Sequence, residues 1–325
     1  NRIELYRSRH DSISLSSFTV VKRRSSVRVR VHFSMDIPST NMSQTKQELR
    51  VVTYMCPTHP IELYELILEI LEKSIDCHGT LQYESRTSGP FPDRPDPFST
   101  DKVDLAFMAP SAYIKLRGKN EYIELLPVTP VFAHQMNLEN KPGYFSDIII
   151  HRDKKAHNVN TLLDLRGCTF AYSDEESLSG SKIVLKTLKE KGENASFFGS
   201  LLRSGSHIAS AQMVLSKQAE WAAVDSTTLL YSKKFMYDGG KEIITLETLG
   251  RLPPYPIVVN SRLSAKVKEA ITDALLNIPY KKPAWKNKFA KFGIIKFKSN
   301  CDVAYDGPSA QVWAISGEKL NVRYY

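Results

Sequence analysis

Three short stretches of the chain each place hydroxyls, backbone N–H groups or an ionisable side chain where a helix is about to begin. In Ser177-Leu178-Ser179-Gly180-Ser181 the hydroxyls would meet unpaired N–H groups at the positive end of a helix dipole, a ready site for an anion. Read alone, such a stretch is more often a plain Ser N-cap, which many helices carry. Ser204-Gly205-Ser206-His207 repeats the design. Its turn and hydroxyl cap precede a histidine able to donate to an oxyanion and to titrate near neutrality. Asp225-Ser226-Thr227-Thr228 follows the apolar run Trp221-Ala222-Ala223-Val224. Asp225 can cap a helix there, or accept a hydrogen bond from the O–H of a protonated oxyanion, which a carboxylate does well. Together the three supply donors, a histidine and a carboxylate, the groups that would grip a small oxyanion.

Other chemistry is not written in the chain. There is no G-x-S-x-G elbow, no H-E-x-x-H, no phosphate loop of the Walker type and no G-x-G-x-x-G. Gly239-Gly240 reads as a turn. The eight histidines show no metal-ligand spacing, and His151 and His157, six apart across a Lys-rich turn, read as solvated. Lys281, Lys282, Lys286, Lys288 and Lys291 read as one solvated helix face, with a phosphate-backbone patch as the lesser alternative. No catalytic residue, cofactor or metal is expected. Cys56, Cys77, Cys168 and Cys301 lie far apart without a C-x-x-C pair and read as free thiols of a reducing compartment.

The elements that must carry these residues fit a length of 325, enough for two domains or one large one. Apolar residues at 42% and charged residues at 24% suit a globular protein with a real core, and no run approaches the roughly 18 apolar residues of a membrane helix. The net charge of +9 is concentrated: residues 1–34 supply +6 of it, so the rest is near neutral and a basic DNA-binding domain is disfavoured. That segment is Arg-rich, Ser-rich and acid-poor, like an organellar transit peptide, although Val27-Arg28-Val29-Arg30-Val31-His32-Phe33 can also make a short edge strand. Residues 1–45 are expected to be disordered or targeting.

From Leu49 onward short strand-like runs alternate with helical patterns, an α/β architecture. Strands are expected at 49–55, 81–83, 103–108, 146–151, 168–172, 220–224 and 257–260. Helices are expected from Ile61, where Tyr64, Leu68 and Leu71 follow at 3–4 spacing, and at 111–116, 161–166, 206–218 and 265–277. A further helix opens at Ser177 and ends at Gly192, another is capped by Asp225, and residues 86–100 are a loop with four prolines. Ligand sites of doubly wound folds lie at strand ends, where the three stretches fall.

The ordered motifs Asp104-Leu105-Ala106-Phe107-Met108-Ala109-Pro110-Ser111-Ala112-Tyr113, Ser177-Leu178-Ser179-Gly180, Ser204-Gly205-Ser206-His207 and Ala223-Val224-Asp225-Ser226-Thr227-Thr228 together resemble the phosphonate- and phosphite-binding proteins of ABC importers. The likeness runs from about Leu49 to about Tyr305. It implies a type 2 periplasmic binding protein-like fold: two α/β lobes joined by two crossover strands, closing like jaws on a small oxyanion. Lobe one would comprise 46–133 plus 245–325 and lobe two 134–244, with crossovers near 128–133 and 245–256. The residues implied around the ligand are Ser177, Ser179, Ser206, His207, Asp225 and Ser226 of lobe two, with Tyr54, Ser111 and Tyr113 of lobe one. Leu178 stands where the family usually has Thr, so one hydroxyl donor is replaced by an apolar wall, a loss of about 1.5–3 kcal/mol toward a charged ligand. An organic substituent on the anion would suit that wall.

The expected function is a binding protein that closes on a phosphonate, phosphite, phosphate or related metabolite, with no nucleic-acid partner and no membrane insertion. Two alternatives stand beside it. One is an enzyme with His207 and Asp225 as an acid–base pair and Cys56 or Cys168 as nucleophile; the other is a scaffold that kept the fold and lost the ligand. With no apolar signal region or lipoprotein cysteine in view, the expected location is cytoplasmic, or mitochondrial if residues 1–34 are a genuine transit peptide. An intracellular eukaryotic relative of the family is the corresponding expectation.

Overall fold

The computed structural model describes residues 18–23, 26–31, 46–277 and 283–306. Residues 1–45 form a unit of their own. Within it Phe18–Arg23 (β1) and Ser26–Val31 (β2) pair antiparallel, Phe18 opposite Val31, so part of the stretch expected to be disordered forms a hairpin. The remainder of that segment, and with it the transit-peptide reading, lies outside the described residues.

The second unit begins at Lys46 and is built on two five-stranded sheets. In the first, Gln47–Thr53 (β3) lies between Cys77–Tyr83 (β4) and Leu105–Phe107 (β5), parallel to both. Ile257–Asn260 (β13) then runs antiparallel between β5 and Ile123–Leu125 (β6). A parallel β3–β4 pair needs a crossover helix, and Ile61–Ile75 (α1) supplies it. Its Leu63, Tyr64, Leu66, Ile67, Ile70 and Leu71 are buried, each such side chain contributing about 1.5–3 kcal/mol. Asp76 in the left-handed region, at φ 50°, ends it.

The second sheet has the order Ser200–Arg203 (β10), Thr169–Tyr172 (β9), Trp221–Asp225 (β11), Tyr144–His151 (β8) and Ile243–Leu252 (β12). β10, β9 and β11 are parallel; β8 is antiparallel to β11 and β12. All eight residues of β8 are buried, the mark of a strand covered on both faces. Asp147 in its middle is satisfied by the Thr248 hydroxyl at 2.7 Å.

Val128–Phe132 (β7) carries the chain from the first sheet toward the second and pairs with Ile294–Ser299 (β14). The return path differs from expectation. β12 stays paired with β8 from Ile243–His151 to Leu252–Tyr144, so the second sheet extends past residue 244. Buried Ile243, Leu249 and Leu252 hold it there, and Pro253, Pro254, Tyr255 and Pro256 make the crossing.

Two smaller expectations also change. His151 is buried, its Nδ1 accepting from the Asp153 N–H at 3.2 Å to cap the short helix Arg152–Ala156 (α3), whereas His157 is exposed. Pro283–Ala290 turns Trp285 and Phe289 inward and Lys286 and Lys288 outward; Lys281 and Lys282 lie outside the described residues. The four cysteines are free. Among the described residues no helix is long and apolar enough to cross a membrane.

Candidate functional site

Six loops leave the carboxyl ends of β3, β4, β5, β9, β10 and β11 and line one cleft of about 620 Å³. Each of these strands runs parallel to a neighbour, so the topology itself collects the loop ends in one place.

From β9 the chain reaches Ser177, whose Oγ accepts from the Gly180 N–H at 2.9 Å. The next turn, Leu178–Lys182, is wound as a π-helix before Ile183–Glu190 (α4) continues as an α-helix. A widened turn of this kind re-aims side chains at a helix start. Ser177 and Ser179 place their hydroxyls 3.3 and 3.4 Å from Nε2 of His207. Ser181 turns the other way and donates to the Asp174 and Ser177 carbonyls. Leu178 is buried in the cleft wall.

From β10, Gly205 at φ 84° makes the turn that a side-chain-bearing residue would strain, and Ser206 caps His207–Leu215 (α5) through the Ala209 N–H at 3.1 Å. His207 is buried, and its Nδ1 accepts from the backbone N–H of Asp225 at 3.2 Å. The proton of the neutral ring is thereby assigned to Nε2, which faces the Ser177 and Ser179 hydroxyls. Burial holds the His207 pKa below its ordinary value, against the opposing pull of Asp225 and Asp174.

From β11, Asp225 caps Ser226–Ser232 (α6). Its Oδ1 accepts from the Thr227 N–H (2.8 Å), the Thr227 hydroxyl (2.7 Å) and the Thr228 N–H (3.3 Å), while the Tyr255 hydroxyl donates to Oδ2. The ring of His207 therefore meets the main chain of Asp225. The carboxylate is aimed elsewhere, so the acid–base dyad of the enzyme alternative is not formed. Burial also pushes the Cys56 thiol up to about 11 and raises that of Cys168, opposite to what a nucleophile needs.

From the first sheet, Tyr54 follows β3 and Ser111 lies in the first turn of Pro110–Leu116 (α2); both line the cleft. Burial pushes the Tyr54 phenol up to about 12. So Tyr54, Ser111, Ser177, Ser179, Ser206, His207 and Asp225 come together. Two expected residues do not join them. Tyr113 packs on Tyr305, ring centroids 4.9 Å apart, and donates to Asp302 on the far side of α2. Helical spacing turns it away from Ser111. Ser226 faces β8, its Oγ accepting from the Phe145 N–H at 3.1 Å.

Several lining residues escaped the sequence reading. Tyr144 and Tyr255 stack at 4.6 Å beside Asp225, and the Pro-rich loop contributes Arg86, Pro90, Phe91, Arg94 and Asp96. Behind the cleft, His59 lies between Tyr64 (Nδ1 to Oη, 3.0 Å) and Thr227 (Nε2 to Oγ1, 2.7 Å). Because the Thr227 hydroxyl donates to Asp225, His59 must donate to Thr227 and accept from Tyr64. Neither a lone histidine before a proline nor a tyrosine between prolines carries a pattern that announces such a position.

Residues 51–305 match the family model described as "ABC transporter, phosphonate, periplasmic substrate-binding protein". The chain is 29% identical over 175 residues, 53% of its own length, to the phosphonates-binding periplasmic protein of Escherichia coli K12. The match spans about half the length of that curated relative, 51%. Among solved structures, a binding protein component of an ABC phosphonate transporter from Pseudomonas aeruginosa superposes with a TM-score of 0.64 at 18% identity, covering 82% of this chain and 85% of that one. PhnD1 from Prochlorococcus marinus, in complex with methylphosphonate, gives 0.59 at 15% identity, covering 80% and 94%. The fold is that of the periplasmic binding proteins, and the family is one of substrate-binding proteins, not of enzymes. The expectation of a cytoplasmic or mitochondrial location is overturned, because the family and the E. coli relative are periplasmic. Its basis was the lack of a visible signal region or lipoprotein cysteine, a basic N-terminal segment and free cysteines, none of which sets the compartment of the family.

Proposed function

The chain belongs to the phosphonate-binding family of ABC-transporter periplasmic substrate-binding proteins, and we propose that its cleft closes on an organophosphonate, or a phosphorus oxyanion carrying an organic substituent, for delivery to an importer. The observation that carries this reading is the convergence of His207 Nε2 with the Ser177 and Ser179 hydroxyls beside the fixed Asp225 carboxylate. Donors on one side and an acceptor on the other suit an oxyanion that keeps one proton. A carboxylate meeting a full dianion would repel it.

The substituent follows from the size and walls of the cleft. At about 620 Å³ it falls in the range of pockets for whole small molecules and is much larger than a bare phosphite. Leu178, Tyr54, Pro90 and Phe91 offer apolar surface, and the Oδ1 of Asp96 is buried without a partner, an acceptor for an N–H or O–H on the substituent. The two lobes would close by hinge motion about β7 and the crossing at 253–256.

Titration calorimetry with phosphite, methylphosphonate, 2-aminoethylphosphonate, phosphate and sulfate tests the reading. Phosphonates are expected to bind, and sulfate, which keeps no proton at neutral pH, to fail. Equal binding of sulfate, or no binding of any phosphorus anion, would overturn it.

A further inference from the structure

Among the described residues four buried side-chain atoms lack a hydrogen-bond partner, and one of them, the Oγ of Ser173, belongs to a residue of the cleft wall amid the groups just described. Ser173 directly follows β9 and is 2% exposed, as buried as Ser179 and Asp225. Its carbonyl accepts from the Gly205 N–H at 3.0 Å, so its backbone is pinned to the turn that delivers His207.

The hydroxyl itself is aimed at Gly180. A Cβ on that glycine would stand 2.4 Å from Ser173 Oγ, 2.9 Å from Ser177 Oγ and 3.1 Å from Cε1 of His207. Three groups from two loops thus crowd one point, and two of them, Ser177 and His207, belong to the proposed anion site. Leaving a buried hydroxyl unpaired carries a desolvation penalty that a fold does not ordinarily keep without use. Ser206 and Ser177 offset theirs by capping helices; Ser173 has no such employment.

Resting on the phosphonate-binding reading above, we infer that Ser173 is a further ligand-binding residue of this cleft, its hydroxyl donating to an oxygen of the bound oxyanion. Leu178, which lines the same cleft, offers no donor, and Ser173 would supply a hydroxyl that it lacks.

Calorimetry with methylphosphonate on wild type, Ser173→Ala and Asp225→Asn, together with ligand-free thermal melts, tests this. Ser173→Ala is expected to melt at or above the wild-type temperature, because it removes an unpaired group, and to bind ten- to a hundredfold more weakly. Wild-type affinity in Ser173→Ala, with Asp225→Asn impaired, overturns this inference and leaves the phosphonate reading standing. A fall in melting temperature at unchanged affinity assigns the hydroxyl a structural role and overturns it likewise. Failure of the wild type to bind any anion of the panel removes the reading and the inference together.

Discussion

The backbone N–H of Asp225 donates to Nδ1 of His207 across 3.2 Å, and this one bond decides what the histidine can do. With Nδ1 occupied as an acceptor, the neutral ring holds its proton on Nε2, toward Ser177 and Ser179. The imidazole is a fixed donor for a ligand, and the carboxylate of Asp225 is reserved for Thr227, Thr228, Tyr255 and the cleft.

His207→Ala is accordingly expected to act twice. It removes a donor from the ligand, weakening methylphosphonate binding by at least tenfold, and it strands the buried Asp225 N–H, costing about 1–3 kcal/mol of stability. Calorimetry and urea denaturation on the same preparation separate the two. Undiminished affinity in a folded His207→Ala protein would remove His207 from the binding set.

Gly180 is a second constraint, and a steric one. Its φ lies in the ordinary range, so Ala costs nothing in backbone strain and gains about 1 kcal/mol of helix propensity. Against that gain stand contacts of 2.4 Å to Ser173 Oγ and 2.9 Å to Ser177 Oγ, which force the hydroxyls aside. Gly180→Ala should therefore lose affinity, and adding Ser173→Ala should relieve part of the crowding. The measurement is a double-mutant cycle on melting temperature, with additivity within error as the outcome against this account.

How much of this was legible beforehand follows from the kind of signal each feature leaves. The helix starts at Ser177, Ser206 and Asp225 were readable because a hydroxyl or carboxylate before an apolar period is a local pattern, and all three cap as expected. Parallel strands then gather those ends. Tyr113 and Ser226 were misplaced because being in a motif does not fix which way a side chain on a helix points: α2 and α6 turn them into packing. That the second sheet runs on to Leu252 was hidden because β12 reads the same whether it crosses between sheets or pairs along one. Ser173, His59 and Tyr255 matter through partners more than 25 residues away, or through the absence of one, which no local pattern encodes.

Leu178 offers a gain-of-function test. Its side chain is 2% exposed in the cleft wall, where a threonine would present a hydroxyl to the anion. Leu178→Thr should tighten binding of methylphosphonate ten- to a hundredfold, while the buried hydroxyl destabilises the ligand-free protein by about 1–3 kcal/mol. Tighter binding of a bulky phosphonate by the same factor would contradict the role given to Leu178 as a wall for the substituent; the bulky ligand should gain less.

The last prediction concerns acid. His59 is enclosed by Phe132 and Tyr255, with ring centroids 5.3 and 4.9 Å away, and its two nitrogens are committed to Tyr64 and Thr227. Burial lowers its pKa to about 4, with Asp225 pulling upward and His207 downward. An unfolded histidine titrates near 6.5. Above that value both states are neutral and the residue leaves stability independent of pH. Between 6.5 and 4 the unfolded chain takes up a proton that the fold refuses, so stability falls with pH, by about 3 kcal/mol across the window. His207, lowered by the same cause, adds in the same direction. Carboxylates held low by ion pairs, such as Glu84 at about 2 beside Arg86, lose their contribution only at lower pH. Urea denaturation at pH 7, 5 and 4 should show the slope in wild type and a shallower one in His59→Gln, whatever that variant's stability at pH 7. Parallel slopes in the two proteins would falsify the assignment.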